Sequence, residues 1–281
     1  MFNIKPILTC PECQASLEHS LKCSGCNNLY RLDHGVYNII SQNISDISDF
    51  SQRELDETGF PVLNTEEHEW HTKRYYGLMN EETLAIRKKQ KEYADVLYSR
   101  LSGVVCDLAT GGGSNLENLL YSDNKNFTIV CADIDVHQLM QTRKQLNTDD
   151  GRVIYIGTDG KHLSFKDQCF DFVVSLSGFG NIPEGDKVAK EVFRTLKPGG
   201  KIILQSAFIE KGSKSHELAK SVGVERGMIE DYAIADLEKA GFINIVVTKT
   251  EQAIWAENEY DLLPVAGDLQ ELATIQAERP S

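Results

Sequence analysis

Val104-Val105-Cys106-Asp107-Leu108-Ala109-Thr110-Gly111-Gly112-Gly113-Ser114-Asn115 is the stretch that decides how the rest of the chain is read. An apolar run ends on an acid, three glycines follow, and Leu116, Leu119 and Leu120 then recur at helical spacing. The pattern predicts a buried strand, a tight turn and the start of a helix. Glycine suits such a turn because it lacks a Cβ and tolerates positive φ. The helix start offers unpaired backbone N–H groups to a polar ligand. Taken alone, the turn serves a dinucleotide, a nucleoside or simple tight packing.

The same strand–helix rhythm continues downstream. Strands are expected at Phe127–Ala132, ending on Asp133, and at Val153–Gly157, leading into Thr158-Asp159-Gly160. Further strands are expected at Phe170–Leu176 and, after the Lys197-Pro198-Gly199-Gly200 turn, at Lys201–Gln205. Helices fall between them, one over Ile229–Ala240 stopped by Gly241. Alternation of this kind gives a parallel sheet with helices on both faces, and a ligand lies across the carboxyl ends of its strands. Those ends carry Asp107, Asp133, Asp159 and Ser175. A carboxylate at Asp133, about twenty residues past the glycines, can accept both hydroxyls of a ribose. One at Asp159 can accept from an exocyclic amine such as that of adenine. Small polar groups from Ser175 to Asn181 border the place where chemistry would occur. Each of these residues alone reads as a turn or cap residue; jointly their spacing favours a nucleoside ligand.

Upstream, Cys10, Cys13, Cys23 and Cys26 form two Cys-x2-Cys pairs. Two tight turns aiming four thiolates at one point give the closed tetrahedral geometry of structural zinc. A redox dithiol would need one pair and a following helix. Residues 29–40 then read as strand, Asp33-His34-Gly35 turn and strand, so residues 1–40 are expected to form a small zinc ribbon that needs its metal. Cys106, Cys131 and Cys169 read as buried small apolar residues, and the odd count of seven cysteines argues against a disulfide framework.

The net charge of −13 is uneven. Residues 41–72 hold one base against eight acids and residues 251–281 one against seven, while residues 73–250 are balanced. Such a distribution favours solubility and opposes loose binding to a phosphate backbone. No run approaches the ~18 apolar residues that span a bilayer, so a cytoplasmic protein without a membrane span is expected.

From about Tyr93 to Lys249 the chain resembles the class I S-adenosylmethionine-dependent methyltransferases. The likeness rests on Asp107-Leu108-Ala109-Thr110-Gly111-Gly112-Gly113, with Ala109 where that family has its first glycine, and on Ala132-Asp133-Ile134-Asp135. It extends to Asp159-Gly160 with Leu163-Ser164-Phe165, to Phe170–Ser175, to Glu191–Gly200 and to Ala240-Gly241-Phe242. The resemblance implies a Rossmann-like α/β fold with a seven-stranded sheet and S-adenosylmethionine as cofactor. It places the cofactor among Asp107, Ala109, Gly111, Gly113, Asp133, Ile134, Asp159, Gly160 and Ser175. In this assignment Gly111 and Gly113 approach the methionine part, Asp133 holds the ribose, and Asp159 with Gly160 holds the adenine. An NAD oxidoreductase would leave the Lys-Pro-Gly-Gly turn and the Asp159 position without a role. No catalytic residue is identified.

The resulting division is a ribbon at 1–40, an acidic linker and pocket cap at 41–80, the methyltransferase domain at 81–258, and an acidic tail at 259–281 with a weak helix near Leu269–Ala277. The expected function is in-line methyl transfer to a small-molecule acceptor, because the catalytic half is similar to quinone-biosynthesis enzymes. The ribbon resembles that of bacterial rRNA guanine-N1 methyltransferases, which makes an rRNA base the alternative acceptor and RNA the alternative partner. A non-catalytic binding module is the second alternative. His71, Tyr75 and Tyr76 are candidates for capping the pocket, and Ser177 and Asn181 for touching the acceptor. The sequence does not fix the oligomeric state.

Overall fold

The computed structural model describes residues 2–41, 73–146 and 151–281. Most of the acidic 41–72 segment, with His71, lies outside the described residues. The chain supplies β1 (Arg31–Asp33) and β2 (Val36–Asn38), then α1 (Glu81–Tyr98), β3 (Gly103–Leu108), α2 (Ser114–Tyr121) and β4 (Phe127–Asp133). There follow α3 (Val136–Leu146), β5 (Val153–Gly157), β6 (Phe170–Leu176), α4 (Gly185–Thr195) and β7 (Leu196–Ile209). The order ends with α5 (Lys214–Ser221), α6 (Glu225–Met228), α7 (Glu230–Ala240), β8 (Ile243–Ile254) and β9 (Leu269–Glu278).

These strands form one sheet in the order β1-β2-β5-β4-β3-β6-β7-β9-β8. From β2 to β7 the neighbours are parallel, and β9 runs antiparallel between β7 and β8. The chain winds outward from β3 through β4 to β5, then returns to lay β6 and β7 on the other side. The order of the strands therefore reverses between β3 and β6, where open sheets of this kind bind ligands. Apolar side chains of α1, α2 and α3 cover one face, with Leu97, Leu116 and Leu139 against Val105, Ile129 and Val174. On the other face α4 and α7 bring Val188, Val192, Ala233 and Leu237 against Cys106, Val130 and Val173. The three isolated cysteines are fully or nearly buried, as their apolar settings predict. No helix of the described residues is long and apolar enough to cross a membrane.

The sheet has nine strands where seven were expected, and the extra pair comes from the N-terminal unit. Leu32 and Asp33 turn through His34 and Gly35, both at positive φ (46° and 82°), into β2. Two such residues give a two-residue hairpin whose twist matches its strands. β2 then pairs in parallel with β5, Val36 opposite Tyr155 and Asn38 opposite Gly157. Leu8, Leu17, Leu21, Tyr30 and Ile39 pack into the same core as Phe165 and Phe170. A unit this small has too little apolar surface to close a core alone, and it borrows the sheet's.

The 259–281 segment also differs from its expected form as a tail. Residues 269–278 form β9, which is hydrogen-bonded along both edges, with Leu204 opposite Ile275 and Val247 in turn opposite Ile275. The sequence Leu269-Gln270-Glu271-Leu272-Ala273-Thr274 has helix-forming composition. Pairing on both sides outweighs that local preference. On α1 the buried stripe is Thr83, Ile86, Gln90, Ala94 and Leu97, whereas Val96 is 53% exposed. Lys88, Lys89 and Lys91 lie on the solvent side.

Arg194 ties α4 to the segment after β5. Its guanidinium donates to the carbonyls of Phe165 at 2.7 Å and Leu163 at 3.0 Å and pairs with Glu191 and Asp167. Arg194→Ala leaves those carbonyls and Glu191 without their cation and is expected to cost about 2–4 kcal/mol in urea unfolding.

Candidate functional site

At the carboxyl end of β3 the backbone enters the left-handed region at Ala109, Gly111 and Gly113, with φ of 55°, 50° and 84°. Ala109 N–H donates to Ala132 O at 2.8 Å, so the turn stays hydrogen-bonded to β4. The glycines have different reasons to be there. A Cβ on Gly113 would lie 2.5 Å from Thr142 Cγ2, so packing against α3 requires its absence. A Cβ on Gly111 would meet nothing within 4 Å, so the space over that residue is open to a ligand. Ala109 stands where the resembling family has glycine, and its methyl is accommodated elsewhere. A Cβ on Gly178 would lie 2.5 Å from Ala109 Cβ, so a glycine after β6 makes room for an alanine after β3.

Asp107 is fully buried on the face covered by α1 and α2. Its Oδ1 accepts from Asn115 Nδ2 at 2.6 Å, and Asn115 Oδ1 in turn accepts from the Tyr98 hydroxyl at 2.6 Å. Its Oδ2 is buried with no hydrogen-bond partner among the described residues. Burial raises the Asp107 carboxyl to about 7 and the Asp133 carboxyl, at the next strand end, to about 6. Asp133 Oδ2 accepts from Gly111 N–H at 2.8 Å and Oδ1 from Asp135 N–H at 2.9 Å, which joins the end of β4 to the glycine turn. Ile134 follows, half-buried.

Asp159 lies in the loop after β5 and is 7% exposed. Its Oδ1 accepts from Lys161 N–H at 2.9 Å, and the His162 ring lies 3.7 Å from Oδ2. Gly160 packs beneath Ile182, whose Cδ1 would lie 2.8 Å from an added Cβ. Ser175 is committed to the scaffold. Its hydroxyl donates to Leu108 O at 2.7 Å and accepts from Phe179 N–H at 2.9 Å, holding the ends of β3 and β6 together. Ser177 has a positive φ of 57° and donates its N–H to Gln205 O, while Asn181 closes a short turn onto Gly178. Tyr75 accepts from Arg87 at 3.0 Å, and Tyr76 is 44% exposed.

The structure thus bonds Asp133 directly to the glycine turn, with Asp107 at the foot of that turn bonded to Asn115 and Asp159 in the loop after the neighbouring strand. Sequence reasoning missed Tyr98 and Asn115, which orient Asp107. Their only signal is a polar residue, Asn115, in the first turn of a helix beside the inward-facing Leu116 and Leu119.

The four cysteine sulfurs lie within 4.8 Å of one another. Cys13 Sγ is 3.4 Å from Cys23 Sγ, and Cys10 Sγ is 3.6 Å from Cys26 Sγ. Metal–sulfur bonds of about 2.3 Å in a tetrahedron put sulfurs about 3.8 Å apart, so the set fits one metal ion. Both turns are built alike: Gln14 and Asn27, each just after a pair, have φ of 59° and 65°. Gly25 and Cys26 point their N–H groups at Cys23 Sγ from 3.3 and 3.4 Å, as suits a thiolate.

Residues 106–204 match a family described as a methyltransferase domain. A curated relative from Hydrogenovibrio crunogenus, a ubiquinone/menaquinone biosynthesis C-methyltransferase, is 32% identical over 133 residues, covering 46% of this chain and 52% of the relative. The chain therefore spans about half the length of the curated relatives it matches. Among solved structures, a Haemonchus contortus phosphoethanolamine N-methyltransferase 2, in complex with phosphomonomethylethanolamine and S-adenosylhomocysteine, is similar with a TM-score of 0.57. It is 19% identical over 83% of this chain and 60% of that one. A [4+2]-cyclase is similar with a TM-score of 0.53, at 19% identity over 68% of this chain and 80% of that one. The shared architecture hosts more than one chemistry, so function has to be argued from the site.

With its carboxyl raised to about 7, Asp107 keeps its proton in the folded state at pH values where the unfolded chain has lost it. Folding then takes up a proton between about pH 4 and 7, and Asp133 adds to this up to about 6. Both make stability fall as pH rises through that window. Asp107→Asn is expected to flatten the decline in Tm of the ligand-free protein between about pH 5 and 7 in calorimetric scans.

Proposed function

We propose, from the premise that this chain carries a class I S-adenosylmethionine-dependent methyltransferase domain, that it transfers a methyl group from S-adenosylmethionine to a small-molecule acceptor. The observation that carries the reading is Asp107, a buried carboxyl with one oxygen unpartnered, at the foot of a turn whose Gly111 is open on one side. A ligand bearing a positive charge supplies what that oxygen lacks. The same set fits S-adenosylmethionine: Asp107 faces its cationic methionine part, Gly111 lets it approach the backbone, Asp133 accepts from the ribose, and Asp159 with Gly160 borders the adenine. Ile134 and Ala109 line the approach, and Ser175 keeps the strand ends in register. When bound, that cofactor offers a methyl group on a sulfonium, which an acceptor displaces in line. The chain's residues align the two reactants and exclude water, which is most of what such a displacement asks of a protein.

The small-molecule acceptor is supported by the names of the relatives, which act in quinone biosynthesis, and by the acidity of residues 41–72 and 251–281. A labelled methyl donor offered with a metabolite extract and with ribosomal RNA tests it. Label is expected in a small product, and label in RNA would transfer the assignment to a nucleic-acid acceptor. Asp133→Asn is expected to weaken S-adenosylhomocysteine binding by about 1–3 kcal/mol in titration calorimetry, since it weakens both the ribose contact and the anchor on Gly111. Wild-type affinity should rise with pH from about 5.5 to 7.5, because pairing with the ligand's α-ammonium group releases the Asp107 proton.

Cys10, Cys13, Cys23 and Cys26 hold a structural zinc in this reading. The ribbon grips the segment that carries Asp159. Thr9 N–H donates to Ser164 O at 2.9 Å, Lys166 N–H to Ile7 O at 2.8 Å, Ile39 N–H to Gly157 O at 2.9 Å, and Ser164 Oγ to Ile39 O at 2.9 Å. Chelation is therefore expected to lower Tm and to weaken S-adenosylhomocysteine binding severalfold, with one zinc per chain in metal analysis of the native protein. Unchanged cofactor affinity after chelation would separate ribbon and site.

A further inference from the structure

Beneath α1 the covered face of β7, β9 and β8 is unexpectedly polar. Strand register sets Gln205 of β7 directly opposite Thr274 of β9. Gln270 lies on the same face of β9, with Leu272 between it and Thr274. On α1, Ile86 packs against Ala253, Leu272 and Ala207, while Ala94 and Leu97 belong with Ile203 further along the strands. Gln90 falls between these two contacts and so lies over the Gln205–Thr274 row. The Tyr93 hydroxyl, 3.4 Å from Thr248 Oγ1, agrees with that placement, because Thr248 is the partner of Thr274 on β8.

These side chains are shut away from water: Gln205 is 1% exposed, Thr274 0%, Gln270 3% and Gln90 5%. Gln205 Oε1 and Nε2, Gln90 Nε2, Gln270 Oε1 and Thr274 Oγ1 have no hydrogen-bond partner among the described residues. Nor does Trp255 Nε1, just past the carboxyl end of β8. Buried amides and hydroxyls without partners are unfavourable, and aliphatic side chains of similar volume would fill a helix–sheet contact better. Their accumulation on one face points to a molecule that enters and pairs with them.

The groups define its chemistry. On the wall itself they are donors and acceptors without formal charge; at the rim Asp261, whose Oδ2 is also buried without a partner among the described residues, is offset by the nearby Arg87. Arg87, close by, is engaged: it donates to the Tyr75 hydroxyl and lies 5.7 Å from the centre of the Trp255 ring. Tyr75, Tyr260 and Trp255 supply flat surfaces at the rim, with Tyr75 and Tyr260 edge to face at 6.1 Å. The place is right for an acceptor. Gln205 pairs in register with Leu176 near the end of β6, beside the strand that holds Asp107, and shares the Asp107 face. We propose that this wall binds the methyl acceptor, with α1 as its cover, and that the acceptor is an uncharged ring compound bearing hydroxyl, carbonyl or amide groups. The proposal rests on the methyltransferase reading above and names the substrate class for it.

Hydroquinone and 4-hydroxyphenyl phosphate serve as paired probes, neutral and anionic, with S-adenosylhomocysteine saturating. The chain has two tryptophans, so Trp70→Phe leaves Trp255 as the single fluorescent reporter. Hydroquinone is expected to change that emission saturably and the phosphate ester to bind at least about tenfold more weakly. Gln205→Met and Thr274→Val should each raise the Tm of the ligand-free protein while weakening hydroquinone by about tenfold, with S-adenosylhomocysteine affinity unchanged. A lowered Tm with hydroquinone binding unaffected would mark an ordinary hydrated core and overturn the proposal. Equal or tighter binding of the phosphate ester would overturn the substrate class. Failure of wild-type protein to bind S-adenosylhomocysteine would instead remove the methyltransferase reading and this inference with it.

Discussion

Between Leu108 and Ser114 the chain must reverse direction, release the edge of β3 and begin α2, and it does so by passing through left-handed backbone at three positions. That requirement propagates. Thr142 of α3 can sit against Gly113 only because no side chain is there, and Gly178 after β6 is a glycine because Ala109 is not. Asp133 reaches across to the N–H of Gly111 and fixes β4 to the same turn. The three strand ends bordering the reversal point of the sheet are thereby locked to one another before any ligand arrives. Ser175 completes the set by bonding to both Leu108 and Phe179. A site held on strand ends in this way is positioned more precisely by the sheet than loops alone would allow.

The electrostatics of the turn follow from that closeness. Two carboxyls flank the turn, Asp107 fully buried and Asp133 half-buried, and desolvation lifts both above the usual carboxylate range. Asp107 receives one amide hydrogen bond, held by Tyr98 through Asn115, and nothing at its second oxygen among the described residues. Such an arrangement disfavours the ligand-free charged state and rewards a cationic guest. The polar row under α1 has the same logic in neutral form. In both places buried polar atoms lack partners among the described residues, and the proposed ligands would supply them.

The N-terminal unit shows how a sheet edge and a small metal-fitting fold solve each other's problem. An exposed parallel edge at β5 would invite pairing with other chains. The β1–β2 hairpin covers it, and the apolar residues around the cysteine turns pack against Phe165 and Phe170. The four-cysteine turns thus stand only a few hydrogen bonds from the loop that carries Asp159.

Much of the fold was legible in the chain itself. The parallel strands, the glycine turn, Gly241 closing α7 and the acids at strand ends are local patterns, each fixed by backbone sterics or by a short-range period. The two cysteine pairs were legible for the same reason, since each is one tight turn. What the sequence alone could not decide were the relations between distant segments. The fusion of the ribbon hairpin to β5 depends on residues about 120 positions apart, and β9 is a strand because it lies between β7 and β8, not because of its composition. The Tyr98–Asn115–Asp107 chain, the exchange of glycine between positions 109 and 178, and the convergence of Gln90, Gln205 and Thr274 likewise exist only after packing. Hydrogen-bond partners and steric exclusion across the sheet act on neighbours in space, and the order of residues along the chain does not record who those neighbours are.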